Sequence, residues 1–136
     1  MADVEFIDLT GEIHEDPRGL SFFPWPEQVR NPQDILKSLH LVSIAPGQVR
    51  GNHLHPNHIE WLYLFHSPGE LIWEPTSGEL KKQRVPGNRT LIRIPAGIAH
   101  AVRNPGPEVL YLMAWREAAD GGAGKPETRP RPLNGG

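Results

Sequence analysis

Four side chains with the chemistry of metal ligands occur in two short stretches of the chain. The first stretch contains His53, His55 and Glu60, and the second contains His100. Alternate residues of a β-strand point to the same face, so a strand through His53 and His55 presents both imidazoles together. A short turn at Pro56-Asn57 leads into a second strand. If the two strands pair as a hairpin, Glu60 lies beside both histidines.

Two imidazoles and one carboxylate on one sheet face are a donor set for Fe, Mn, Ni, Co or Zn. The chain has no cysteine, which excludes disulfides and thiolate ligands. The alternative interpretation is that these residues are solvent-facing polar groups of an antiparallel sheet. His58 falls in the predicted turn and is expected to be exposed, and His66 falls at a strand end, so neither is expected to be a ligand.

Short β-strands are the elements that must position these residues. Gly- and Pro-containing turns interrupt the chain about every eight to twelve residues, which is typical of an all-β sandwich or barrel. The only helical signal runs from Asn31 to Leu36, where Asn suits the cap and Pro the first turn. The predicted strands cover residues 4–9, 38–44, 49–55, 60–66, 70–74, 80–85, 90–94, 100–103 and 109–115.

Composition limits both the size and the partners of the protein. A chain of 136 residues accommodates one ordinary domain. The formal net charge is −2, so no basic surface for nucleic acid or membrane binding is expected. The N-terminus lacks the apolar run of a signal peptide, which predicts a cytoplasmic protein.

The end of the chain differs from the rest in composition. Residues 119–136 are rich in Gly and Pro and lack the apolar residues of a core. The sequence therefore predicts one domain over residues 1–118, followed by a flexible tail over residues 119–136.

Both histidine stretches match paired motifs. Residues 47–69 resemble the first motif of the cupins, G-x5-H-x-H-x3,4-E-x6-G, through Gly47, the two histidines and Glu60. Residues 87–104 resemble the second motif, G-x5-P-x-G-x2-H-x3-N, through Pro95, Gly97, His100 and Asn104. Eight residues separate Glu60 from Gly69 instead of six, and seven separate Gly87 from Pro95 instead of five.

The resemblance implies a jelly-roll β-barrel that holds one divalent transition metal, Fe, Mn, Ni, Co or Zn. Its ligands would be the four matching residues, His53, His55, Glu60 and His100. Cupins of this size commonly form homodimers through sheet faces or exchanged N-terminal strands. Trp61, Tyr63 and Phe65 have the parity opposite to Glu60 and are expected either in a core or on a dimer surface.

A finer resemblance points to the deoxysugar-nucleotide 3,5-epimerases and ketoisomerases. Three segments carry it: Arg50-Gly51-Asn52-His53, Ile94-Pro95-Ala96-Gly97-Ile98-Ala99-His100 and Asp16-Pro17-Arg18-Gly19. In that group the first histidine is a general base and no metal is required, which implies a catalytic role for a metal-free His53. An imidazole bound to metal is not a free base, so the two interpretations compete for this residue.

Three functions remain open at this stage. The first is a metal-dependent isomerase or epimerase acting on a carbohydrate or sugar nucleotide. The others are an iron-dependent cupin dioxygenase and a non-catalytic protein that binds a sugar or other small ligand with help from the metal. His40 and Trp73 are the candidate substrate-binding residues, and core packing is the alternative for Trp73.

Overall fold

Most strands carry alternating apolar residues, and their apolar faces meet between two sheets. The structure is a computed structural model that describes residues 3–25, 32–76, 78–119 and 126–133. These ranges contain a 3-10 turn at Thr10–Glu12, the helix α1 (Pro32–Ser38) and the strands β1 (Glu5–Asp8), β2 (His14–Asp16), β3 (Gly19–Ser21), β4 (His40–Ile44), β5 (Val49–Leu54), β6 (His58–Phe65), β7 (Gly69–Glu74), β8 (Lys81–Val85), β9 (Thr90–Ile94), β10 (Ala99–Arg103), β11 (Leu110–Ala118) and β12 (Arg129–Pro130).

The strands form two five-stranded antiparallel sheets and one separate hairpin, β2–β3. The first sheet has the order β1-β9-β6-β11-β4, and the second has the order β12-β5-β10-β7-β8. The main core lies between them, with Leu62, Leu64 and Ile92 from the first sheet and Leu71 and Val102 from the second. This arrangement confirms the predicted all-β jelly-roll barrel.

A second apolar cluster covers the outer face of the first sheet. Trp61 and Tyr63 are buried there beside Trp115, and Ile35 of α1 packs over them. Phe65, at the end of the same strand, is only partly buried. The core interpretation therefore holds for Trp61 and Tyr63, because the N-terminal third of the chain covers this face. No helix in the described ranges is long and apolar enough to cross a lipid bilayer.

The predicted hairpin between the His53–His55 strand and the Glu60 strand is wrong. β5 pairs with β10 and β12, whereas β6 pairs with β9 and β11 in the opposite sheet. The turn at Pro56-Asn57 carries the chain from one sheet to the other. It is fixed by a hydrogen bond from the Gly97 N–H to the His55 carbonyl (2.8 Å). Glu60 therefore approaches the histidines across the interior of the sandwich.

The C-terminal residues also differ from their prediction. Residues 126–133 do not behave as a detached tail, because β12 pairs with β5 along its free edge. Leu133 is buried against Ile72, Ala99 and Ala101 on the outer face of the second sheet. The expectation of a flexible tail is thus corrected for this segment. Residues 120–125 and 134–136 lie outside the described residues.

Asn104, the last residue of the second motif, is fully buried beneath a turn. Its side-chain amide donates hydrogen bonds to the carbonyls of Ile44 (2.8 Å) and Glu108 (2.7 Å), and its Oδ1 accepts one from the Gly106 N–H (3.0 Å). Asn104→Ala should lower the free energy of unfolding by about 2–3 kcal/mol, because it leaves buried polar groups unsatisfied. Urea denaturation measures the loss. Asn57→Ala, at an exposed position, is the control, and an equal loss in both variants would contradict this role.

Candidate metal centre

The four predicted ligand residues come together between the two sheets. Their donor atoms all lie within 4.8 Å of one another. The Oε1 atom of Glu60 lies 2.6 Å from Nε2 of His100 and 3.9 Å from Nε2 of His53. The Oε2 atom lies 3.1 Å from Nε2 of His55. The carboxylate thus faces three imidazole nitrogens at once.

Two of the three rings are held in a defined tautomer by backbone carbonyls. Nδ1 of His100 lies 2.9 Å from the Ile98 carbonyl oxygen. Nδ1 of His55 lies 3.3 Å from the Glu127 carbonyl oxygen and 3.1 Å from Thr128 Oγ1. A carbonyl oxygen only accepts hydrogen bonds, so Nδ1 of each ring carries the donated proton. A neutral ring of this kind presents a lone pair at Nε2, the atom that a metal binds.

The contact between His100 and Glu60 requires a positive charge between or on the partners. With Nδ1 protonated, a neutral His100 ring would place its Nε2 lone pair 2.6 Å from an oxygen lone pair of Glu60. Two acceptors at that distance repel each other unless a proton or a cation lies between them. The three nitrogens and one carboxylate oxygen are a donor set that suits a divalent transition metal, so the residues present fit the expected ion.

The charge state of Glu60 agrees with this donor set. Burial by itself raises the pKa of a carboxyl group, because the charged form loses its hydration. In this site the interactions with His100, His53 and His55 outweigh burial and hold the pKa of Glu60 well below its usual range. Glu60 is therefore an anion inside the protein and offers the negative charge that a cation needs.

Two glycines allow the backbone to deliver the histidines. Gly97 has a φ of +83° in the turn before β10, as the Pro95-x-Gly97 turn predicted, and His100 follows two residues into the strand side. Gly51 has a φ of +103°, and a Cβ there would lie 3.0 Å from the His100 carbonyl oxygen. The absence of a side chain at Gly51 lets β5 approach β10, which places His53 opposite His100 in the ladder.

A cavity of about 190 Å³ opens beside the four residues. His53 faces it and is the most exposed of the four, with 29% of its side chain accessible. His40 and Arg50 are the other ionisable residues of the wall, and the remainder is mostly apolar: Val42, Leu62, Val102, Leu112 and Ala114. The cavity therefore combines a few polar groups with a dry wall, as small-molecule sites usually do.

The remaining sequence-based candidates are distributed differently. His40 opens β4 and lines the cavity, whereas Trp73 does not line it and packs in the main core. The Trp73 indole N–H donates to Asp3 (2.8 Å), which corrects its assignment as a substrate-binding residue. His58 is buried at the start of β6, contrary to its predicted exposure, because the strand begins before the turn was expected to end. His66 is exposed and lies outside the cluster.

The sequence did not single out Glu127 and Thr128, which contact His55. Both belong to the segment that composition assigned to the tail. The signal that was available is the alternation Arg129-Pro130-Arg131-Pro132, because a residue before proline favours an extended conformation. That alternation is compatible with an added edge strand, but nothing local identifies its partner.

Two antiparallel sheets that enclose three histidines and a glutamate define a cupin, and solved structures agree with this class. A 3,4-ketoisomerase from Helicobacter canadensis matches with a TM-score of 0.65 at 16% identity, covering 84% of each chain. The Mycobacterium tuberculosis rmlC epimerase matches with a TM-score of 0.58 at 14% identity, covering 85% of this chain and 68% of that one. These identities show the shared fold.

The capsular polysaccharide assembling protein CapF from Staphylococcus aureus has the same fold in part of its length. It matches with a TM-score of 0.60 at 21% identity over 70% of this chain and 26% of its own, so the match spans about a quarter of CapF. Among curated proteins, none matches the chain. The model of the polysaccharide biosynthesis C-terminal domain family matches residues 14–120, and the chain belongs to that family.

Proposed function

We propose that this protein is a metal-dependent isomerase or epimerase that acts on a sugar nucleotide. The observation that carries the proposal is the short contact between Glu60 and His100, whose Nδ1 is already committed to a carbonyl. A divalent cation at that point would satisfy the carboxylate and the three imidazoles together. When bound, such an ion supplies a Lewis acid for a carbonyl oxygen of the substrate.

The family and the fold relatives support the substrate class. The family description refers to polysaccharide biosynthesis. The structural neighbours include 3,4-ketoisomerases and 3,5-epimerases, and one of them, QdtA from Thermoanaerobacterium thermosaccharolyticum, was solved with TDP-4-keto-6-deoxyglucose. All of these reactions shift a proton on a carbon next to a carbonyl group.

His40 is the residue that we propose to move this proton. It lines the cavity, and its Nδ1 lies 2.8 Å from the Ser38 carbonyl oxygen, so Nδ1 donates and Nε2 keeps a lone pair. In the proposed step, Nε2 takes a proton from the carbon beside the substrate carbonyl, and the electron pair moves to the carbonyl oxygen. Return of a proton to the other face gives the epimer, and return to the neighbouring carbon site gives the isomer.

Arg50 is proposed to bind the negative charge of the nucleotide. Its Nε donates to the Ser43 carbonyl (2.9 Å), which fixes the side chain at the cavity wall and leaves its terminal nitrogens as donors. Guanidinium groups bind phosphate through paired hydrogen bonds. The apolar wall excludes water from the reacting carbon, which strengthens electrostatic interactions there.

The first experiment combines metal content with proton exchange. Purified protein is analysed for metal by mass spectrometry and then incubated with TDP-4-keto-6-deoxyglucose in D2O. We expect one divalent ion per chain and deuterium entering the carbon next to the keto group, detected by NMR. Metal without exchange would favour the binding-protein alternative, and iron as the bound metal would favour the dioxygenase. Exchange in protein that binds no metal would favour His53 as a metal-free base.

His40→Ala should lower the exchange rate by about 100-fold or more, because general acid–base catalysis contributes roughly that much. Metal content should stay at the wild-type level, because His40 lies outside the ligand cluster. His66→Ala, at an exposed histidine, is the matched control and should leave the rate unchanged. Equal rates in both variants would exclude His40 as the proton-transfer residue.

The predicted homodimer stays a prediction, and the outer face of the first sheet is where we propose it forms. Leu41 and Tyr111 are exposed there, at 70% and 37%, next to partly buried Phe65 and Met113. Light scattering of the wild type and of Leu41→Asp tests this. A monomeric wild type, or a dimer that Leu41→Asp does not weaken, would contradict it.

A further inference from the structure

The C-terminal segment, residues 126–133, forms a strap along the free edge of β5, the strand that leads to the candidate ligands. Arg129 pairs with Leu54, and Pro130 pairs with His53. Beyond the paired residues, the Arg131 N–H donates to the Asn52 carbonyl (2.7 Å). The strap therefore follows the backbone of the ligand-bearing strand residue by residue.

Two anchors hold the end of the strap. Leu133 is buried against the outer face of the second sheet, and its N–H donates to Asn52 Oδ1 (3.1 Å). The guanidinium of Arg131 forms an ion pair with Glu74 (2.8 Å). Asn52 has a φ of +56°, an uncommon conformation that presents both its carbonyl and its side chain to the strap. The segment is thus docked by apolar burial, charge and hydrogen bonds.

The start of the strap contacts the His55 ring. Nδ1 of His55 lies 3.1 Å from Thr128 Oγ1 and 3.3 Å from the Glu127 carbonyl oxygen. The opposite nitrogen of the ring, Nε2, lies 3.1 Å from Glu60. The side chain of His55 is only 5% exposed. The ring therefore lies between the strap on one side and the ligand cluster on the other.

We propose that the strap is a positioning element for His55, and that Thr128 and Leu133 are the residues through which it acts. The Glu127 carbonyl and the Thr128 hydroxyl oxygen accept the Nδ1 proton, which selects the tautomer whose Nε2 lone pair points at Glu60. The effect on metal affinity rests on the proposed metal site, whereas the effect on the tautomer does not.

The same arrangement is general for metal-bound histidines. A hydrogen bond to the distal ring nitrogen sets the tautomer and the ring orientation, and its loss costs roughly 10–100-fold in metal affinity. His100 receives this bond from Ile98, two residues away on its own strand. His55 receives it from residues more than seventy positions later in the chain. The site is therefore complete only when the C-terminal segment is docked.

Full-length variants test the proposal. Leu133→Asp places a charge in the apolar anchor and should release the strap. Thr128→Val removes the hydroxyl while it keeps the shape, and Thr128→Ser restores the hydroxyl. Arg129→Ala is the control within the strap, because that side chain interacts with Glu127 and not with His55. Metal affinity is measured by competition with a chromogenic chelator, and the tautomer of His55 by 15N NMR of the metal-free protein.

We expect Leu133→Asp to weaken metal binding by roughly 10–100-fold, Thr128→Val by less, and Thr128→Ser and Arg129→Ala to remain near wild type. In metal-free wild type we expect the Nδ1-protonated tautomer of His55, and a mixture of tautomers in Leu133→Asp. Unchanged affinity and an unchanged tautomer in both Leu133→Asp and Thr128→Val would overturn the proposal. A wild type that binds no metal would refute the proposed metal site instead, and the tautomer would then decide the role of the strap.

Discussion

Glu60→Ala will lower the affinity for a divalent metal by more than about 100-fold, beyond the range that loss of an outer hydrogen bond produces. Glu60 is the only anionic member of the cluster, and it contacts Nε2 of His100 and of His55. Its removal leaves three neutral nitrogens around the ion and no charge to offset the loss of hydration. Metal content and chelator competition measure the effect.

Two further ligand variants and one control complete this test. His53→Ala and His100→Ala should each lose most of the bound metal while the β-sheet circular dichroism spectrum is retained. Glu5→Ala removes an exposed carboxylate on β1 and should keep full metal content. Full metal content in both histidine variants would refute the assignment of the ligands.

Trp61→Ala will lower the free energy of unfolding by about 3–5 kcal/mol, the range for loss of a buried large aromatic side chain. Trp61 is fully buried, stacks on Trp115 with ring centroids 6.2 Å apart, and donates its indole N–H to Glu117 (3.1 Å). Truncation leaves a cavity between α1 and the first sheet and removes that hydrogen bond. Urea denaturation at equilibrium measures the change.

Trp25→Ala is the matched control, since Trp25 contacts the same Trp115 ring from the other side, with centroids 5.3 Å apart. It is 41% exposed, so its removal opens less of a cavity. We expect a smaller loss, of about 1 kcal/mol, which is typical of single substitutions. If Trp61→Ala costs no more than Trp25→Ala, the outer cluster does not contribute to stability as its burial indicates.

The local pattern of the sequence predicted the strands well where turns bound them. β9 matches its predicted range of 90–94, and β7 differs by one residue at its start. Helix α1 begins one residue after the predicted Asn31 start and extends beyond Leu36 to Ser38. The hairpin β2–β3 escaped prediction, because its strands have three residues each and are fully exposed, so they carry no hydrophobic alternation.

Residue type and spacing determined the ligand set of the candidate site. The strand period placed His53 and His55 on one face, and their ring centroids lie 4.8 Å apart. The turn at Gly97 delivered His100, as its positive φ requires. These features depend on the backbone geometry of a few adjacent residues, which the local sequence controls.

Only the tertiary structure decided how Glu60 and the C-terminal strap reach the site. Glu60 meets the histidines across the space between two sheets rather than along a ladder, and the strap meets His55 from the end of the chain. Both contacts depend on which strands pair, and pairing between distant segments follows from the burial of whole sheet faces. A periodicity of two residues defines the faces of a strand but not its neighbours, so the sequence by itself determined the ligands and the fold class, and the packing of the two sheets decided the geometry of the site.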